Sequence, residues 1–312
     1  MSAVEKVAYL NLPDCRRLSN GTVEVVVTAG VGPRILRYAF VGGENVFGEY
    51  PEASVQTEWG VWKPRGGHRL WAAPEASPRS YAPDDAPLAV TEEGARAARF
   101  AQPADPRTGL GKEMLVELDE QGSGVRVLHR IVNHGAWALE LAPWALTIMR
   151  PGGEVFIPQE PFGPHPEFLL PARPLVLWHY TDLTDARLSL GRLLVRVRPD
   201  AGNDAPQKIG LLNKQGWAAY HVGGELFVKT YPYTEGAAYP DYNCNTQVFT
   251  AGPFVEVESL APLTRLEPGG VAEHEERWAL FGGVEVGGDE GAVASVVAPL
   301  ALGVRRAAGG TS

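Results

Sequence analysis

The stretch Phe254-Val255-Glu256-Val257-Glu258-Ser259-Leu260 alternates apolar and polar side chains with a period of two. That period belongs to a β-strand, in which successive side chains point to opposite faces. Val255 and Val257 share one face, and Glu256 and Glu258 share the other. Two carboxylates at adjacent same-side positions repel each other. That repulsion can raise one pKa and poise an acid or a base. A solvent-facing strand with ordinary surface acids has the same pattern.

Outward from this strand the period-two pattern recurs. Val23, Val25 and Val27 alternate before the Gly30, Gly32 and Pro33 punctuation, and Ile35–Tyr38 completes a hairpin. Strands are expected over Leu88–Thr91, Ala97–Gln102, Lys112–Asp119, Val125–Asn133 and Ala138–Met149. Further ones are expected over Leu175–Tyr180, Leu194–Val197, Lys208–Leu212, Trp217–Val222, Leu226–Thr230 and Glu273–Phe281. Helix is expected over Asp289–Leu302, kinked or ended by Pro299, with a frayed tail from Arg305 to Ser312. A short helix fits Ala186–Leu190. The 36 glycines and 26 prolines among 312 residues exceed the roughly 12% average for the two together. They exclude long-helix bundles, while 45% hydrophobic residues exclude disorder. No internal repeat or linker-like composition shift divides the chain. The expectation is an all-β fold in a single domain over 1–312, with its core about 20–282 and a C-terminal helix and tail at 289–312.

The formal charge of −9, from 28 basic and 37 acidic side chains, disfavours nucleic acid as a partner. No run is long and apolar enough for a membrane span, and Met1 to Leu10 lacks signal-peptide character. Cys15 and Cys244 form no framework, which suits a reducing, cytoplasmic location. No HExxH-type spacing, P-loop, GxGxxG or GxSxG occurs. Neither a metal nor a cofactor is therefore expected.

Candidate site residues fall in three places. Gly66-Gly67-His68-Arg69-Leu70-Trp71 lies in a segment, Glu49–Pro87, that reads as an ordered aromatic loop. His68 offers proton transfer and Arg69 a planar fork of donors. Trp71 offers a flat apolar face. The alternative is a structural loop with Arg69 paired to Glu75 or Asp84. Glu256 and Glu258 form the second place. The third comprises Lys214, Trp217, Tyr220 and His221 with Lys229, Tyr231 and Tyr233, followed by Asp241. It reads either as a binding face or as a packed aromatic rim.

The order of GGHRLW, the Arg130–Asn133 strand, FVEVESL, Leu266-Glu267-Pro268-Gly269 and Trp278-Ala279-Leu280 resembles the galactose mutarotase-like superfamily of aldose 1-epimerases. More narrowly it resembles a bacterial branch of the DUF4380 type. The resemblance spans roughly 23–281. It implies a β-supersandwich of two large antiparallel sheets with a small-molecule carbohydrate in a cleft on one of them. It implies Glu258 as catalytic base, with Glu256 as fallback, His68 as acid and Arg69 as a sugar-holding group. The family's second histidine has no counterpart, since Leu141-Ala142-Pro143-Trp144 stands there. His68, His221 or Lys214 would then supply the acid, unless the site only binds sugar or runs a lyase or isomerase reaction in the same cleft.

Overall fold

The computed structural model describes residues 4–309. The Phe254–Leu260 strand lies inside an eleven-stranded antiparallel sheet, between Leu139–Ile148 and Thr246–Ala251. From one edge the sheet runs Val4–Tyr9, Leu12–Ser19, Val23–Thr28, Arg34–Phe40 and His68–Ala73. It continues through Leu139–Ile148, Phe254–Leu260, Thr246–Ala251, Gln207–Leu211 and Leu175–Leu177, with Thr264–Leu266 paired to Leu139–Ile148. A ten-stranded sheet packs against it. Its order is Ala89–Gly94, Ala97–Gln102, Leu110–Leu118, Val125–Asn133, Val271–Gly282, Glu225–Thr230, Trp217–Val222, Glu154–Pro158, Leu194–Val197 and Leu188–Leu190. This is the all-β supersandwich of two large antiparallel sheets.

Burial follows the period of each strand. Val125–Asn133 is buried at alternate positions. Its inward set, Val125, Val127 and Ile131, joins the main core. The outward set meets water and forms cross-strand pairs, such as Arg126 with Glu275 and Arg130 with Glu273. Phe254–Leu260 is instead buried on both faces beyond its first residue. Val255 and Val257 pack between the sheets, while the outer face lies under an aromatic layer.

Several expectations change. The Glu49–Pro87 segment is not a loop throughout, because His68–Ala73 is a central strand between Arg34–Phe40 and Leu139–Ile148. Gly67 lets this strand sit so close: at φ 64° its missing Cβ would fall 2.1 Å from the Ile35 carbonyl oxygen. Arg69 pairs with neither Glu75 nor Asp84, because Arg34 holds Asp84 at 2.7 Å and Arg69 turns to Glu256. Leu188–Leu190 is an edge strand rather than a helix. The expected strands missed Val4–Tyr9, Leu12–Ser19, Glu154–Pro158 and Thr246–Ala251.

The C-terminal helix, Glu290–Gly309, runs through Pro299 and past the expected fraying point at Arg305; residues 310–312 lie outside the described part. An internal proline costs a helix about 3 kcal/mol. Burial offsets that cost: Val293, Val297 and Ala301 pack on Trp217, Ala219 and Val228 on the outer face of the ten-stranded sheet. Arg305 Nη1 donates to the Gln215 carbonyl at 2.6 Å and ties down the last turns. Replacing Trp217 by Ala should destabilise the chain by about 3–5 kcal/mol through the cavity left under this helix. The measurement is denaturant unfolding, and a loss below about 1 kcal/mol would contradict this packing.

Candidate functional site

Three neighbouring strands build the site, and strand alternation decides what faces it. His68–Ala73, Leu139–Ile148 and Phe254–Leu260 pair in register, with Leu146 opposite Arg69 on one side and Glu258 on the other. Their outward side chains include Arg69, Trp71, Trp144, Leu146, Glu256 and Glu258. With Trp62, Tyr81, Trp178, Tyr180 and Lys208 they surround or underlie a cleft of about 520 Å³. That volume lies in the usual range for small-molecule sites, roughly 300–1,000 Å³.

Two ion pairs form the cleft floor. Arg69 Nη1 donates to Glu256 Oε1 at 2.5 Å. Its guanidinium carbon lies 4.5 Å from the Trp71 ring centre and 5.5 Å from that of Trp62. Lys208 Nζ donates to Glu258 Oε2 at 3.1 Å and sits 4.6 Å from the Trp144 ring centre and 5.0 Å from that of Trp178. Each cation is thus held by a carboxylate and by indole faces. Trp144 Nε1 also donates to Glu258 Oε2 at 2.8 Å. Glu258 is wholly buried, and its Oε1 has no hydrogen-bond partner. Burial pushes its carboxyl from 4.5 up to about 7, with Lys208 opposing and nearby Glu256 adding to the rise.

His68 does not share this cleft. It precedes Arg69 in a strand and so points the other way, between the two sheets. There a hydrogen-bond chain accounts for every proton if the imidazoles are neutral, the tautomers being assigned from the partners. Lys229 Nζ donates to Thr147 Oγ1 at 3.1 Å, leaving that hydroxyl to donate to His68 Nδ1 at 2.9 Å. His68 Nε2 donates to His129 Nε2 at 2.7 Å, and His129 Nδ1 to the His274 carbonyl at 2.8 Å. His274 Nε2 donates to Ser259 Oγ at 2.6 Å, and Ser259 to Glu276 Oε1 at 2.5 Å. Trp278 Nε1 donates to Glu276 Oε2 at 2.8 Å, and Lys229 Nζ lies 2.6 Å from Glu276 Oε1. Burial lowers the histidines, His68 well below its usual value and His274 to about 3, against the pull of Glu276. Among the described residues, His68, His129 and Glu276 are the group whose ligating atoms approach closely enough to hold a cation. The Lys229 ammonium already supplies the positive charge there.

The remaining sequence candidates also separate. Trp217 lies under the C-terminal helix and Tyr220 in the intersheet core. His221 Nε2 bonds the Val284 carbonyl, and Lys214 lies 3.7 Å from Glu235. All four belong to the ten-stranded sheet or the turn before it, so they form no face with Arg69. Asp241 accepts from Gln247 Nε2 at 2.7 Å and borders a second cavity beside Trp178. Sequence reasoning missed Lys208, Trp144 and Trp178 as site residues. The available signal was a lysine inside the apolar run Lys208-Ile209-Gly210-Leu211.

The two large antiparallel sheets match the galactose mutarotase-like sandwich fold. A proposed aldose 1-epimerase from Klebsiella pneumoniae superposes with a TM-score of 0.58 at 10% identity, covering 97% of this chain and 87% of that one. A galactose mutarotase-like protein from Lactobacillus casei gives 0.51 at 12% identity, covering 86% and 100%. A galactose mutarotase related enzyme from Lactobacillus acidophilus gives 0.52 at 10% identity, covering 87% and 98%. At this identity the likeness establishes the fold. No protein-family model matches the sequence, and no curated protein matches it. No helix of the described chain is long and apolar enough to cross a membrane.

Glu258 holds its proton more tightly when folded than when unfolded. Its contribution to stability is therefore fully present below the unfolded value, near 4.5, and is lost as pH rises through about 7. Infrared difference spectra should show a carboxyl band titrating near 7 that disappears in Glu258→Gln. Titration of that band near 4.5 would refute this environment.

Proposed function

We propose that the chain is a carbohydrate-active enzyme of the aldose 1-epimerase type, interconverting the anomers of a free sugar. The observation that carries this reading is Glu258, buried beneath an aromatic cleft with one unpartnered oxygen and its proton balanced near neutral pH. Ring opening removes a proton from the anomeric hydroxyl and delivers one to the ring oxygen. A group titrating near the working pH is suited to both directions of that exchange. Glu258 takes the hydroxyl proton, and the Lys208 ammonium, bonded to it at 3.1 Å, gives a proton to the ring oxygen. Glu256 and Arg69 hold the sugar hydroxyls, and Trp71 and Trp144 offer flat apolar faces to the ring. Placement in the DUF4380-type branch and in the cytoplasm belongs to the same proposal. It rests on the sequence motifs and on the two buried free cysteines.

Glu258→Gln should slow anomer exchange by about 10²–10⁴-fold, the range for losing a general acid–base group, while sugar binding persists. Two-dimensional NMR exchange on glucose and galactose measures it. Wild-type exchange in Glu258→Gln together with loss in Glu256→Gln would move the base to Glu256.

A second reading, a carbohydrate-binding protein without turnover, is favoured by one observation. Neither cation of the floor is without a carboxyl partner, and among the described residues no histidine lines the cleft. Calorimetric sugar binding with no exchange in the unmodified protein would establish it.

A further inference from the structure

Trp178 also lines a second cavity of about 370 Å³, together with Val176, Leu177, His179, Asp241 and Tyr242. The two spaces share one aromatic wall. The far wall of the second cavity is held in an unusual backbone state. Asp241, Tyr242 and Asn243 all adopt positive φ, at 51°, 56° and 74°. Non-glycine residues rarely do so, and three in succession have a cost that the surroundings must offset. Asn243 Oδ1 accepts from the Tyr239 backbone at 2.8 Å, and Gln247 Nε2 clamps the Asp241 carboxylate at 2.7 Å. This left-handed turn sets an aromatic ring and a carboxylate beside Trp178, with Tyr242 91% exposed. Gln247, which holds Asp241, also neighbours the cleft floor. It lies opposite Glu258 in the strand ladder, is wholly buried, and its Oε1 lacks a partner.

Charge narrows what could occupy both spaces. Arg69 is ion-paired with Glu256, and Lys208 is hydrogen-bonded to Glu258, so each cation of the floor already has a carboxyl partner. The second cavity has a carboxylate and no lysine or arginine in its lining. A phosphate or uronate group would meet no unpartnered lysine or arginine in either lining and would face Asp241. Hydroxyl groups, by contrast, find both donors and acceptors there, and pyranose faces find indole and phenol rings.

We infer that the site takes an uncharged saccharide of at least two rings, its reducing ring over Glu256 and Glu258 and its next ring crossing Trp178 to Asp241 and Tyr242. The inference rests on the carbohydrate reading above and extends it. Titration calorimetry with glucose, galactose, maltose, cellobiose and lactose tests it, with glucose 6-phosphate and glucuronate as charged probes. At least one disaccharide should bind about tenfold tighter than glucose, the reducing-end sugar of all three, an amount one well-placed ring contact can supply. Tyr242→Ala should reduce that ratio to below about twofold, and Asp241→Asn should weaken the disaccharide while improving glucuronate. Tyr242 is exposed, so its truncation leaves the core intact, and a thermal melt confirms folding. The inference is overturned if every disaccharide binds no better than glucose, if Tyr242→Ala keeps the preference, or if a charged probe binds more tightly than the disaccharides. Glucose or galactose binding without any disaccharide advantage sinks the extension alone. Absence of binding to all the neutral sugars sinks the carbohydrate reading with it.

Discussion

Lys229 and Glu276 meet at 2.6 Å inside the sandwich, both wholly buried. Removing two charges from water is costly, and such a pair persists only where hydrogen bonds satisfy the rest of each group. Here they do: Lys229 also donates to Thr147 and to the Val257 carbonyl, and Glu276 also accepts from Ser259 and Trp278. Burial lowers the lysine, but the glutamate opposes it, and the lysine and histidines keep the Glu276 carboxyl well below its usual range despite burial. The partners come from His68–Ala73, Leu139–Ile148 and Phe254–Leu260 on one sheet and from Val125–Asn133, Glu225–Thr230 and Val271–Gly282 on the other. The network therefore fixes face as well as position. A one-residue slip of any of the first three strands would carry Arg69, Trp144 or Glu258 into the core and break the pair's hydrogen bonds together.

The outer site follows from that constraint. Arg69 and Glu256 sit one position from His68 and Val257, and Glu258 one position from Ser259, so the cleft floor is the reverse side of the interior network. On this face the cations repeat one arrangement twice, an ion pair backed by two indoles. Each cation has a carboxyl partner, and the surrounding surface is largely aromatic. Such a lining suits a ligand with apolar faces and a hydroxyl rim better than one carrying a net charge.

Much of the fold was legible because alternation and punctuation are local. Phe254–Leu260, Trp217–Val222 and Leu194–Val197 have the expected limits. His68–Ala73 escaped because Trp, Gly and Pro density around it resembles a loop, and its strand pairing depends on Gly67 approaching Ile35 across the chain. The site was half legible. Glu256 and Glu258 share the predicted face, but His68 and Arg69 were grouped by adjacency in sequence, which in a strand means opposite directions. Lys214, Trp217, Tyr220 and His221 were grouped by composition. Trp217 instead serves the helix contact, a long-range pairing that no local pattern announces.

Ala142-Pro143-Trp144 brings an indole rather than an imidazole to the cleft floor. Trp144 projects into the cleft and donates its indole N–H to Glu258. An imidazole would exchange protons near neutrality, whereas an indole only donates a hydrogen bond. Trp144 thus sets apolar surface and no titrating group against a carboxyl already raised by burial. The three intersheet histidines, His68, His129 and His274, lie on the other side of the sheet, and their imidazoles are engaged in the network that holds it.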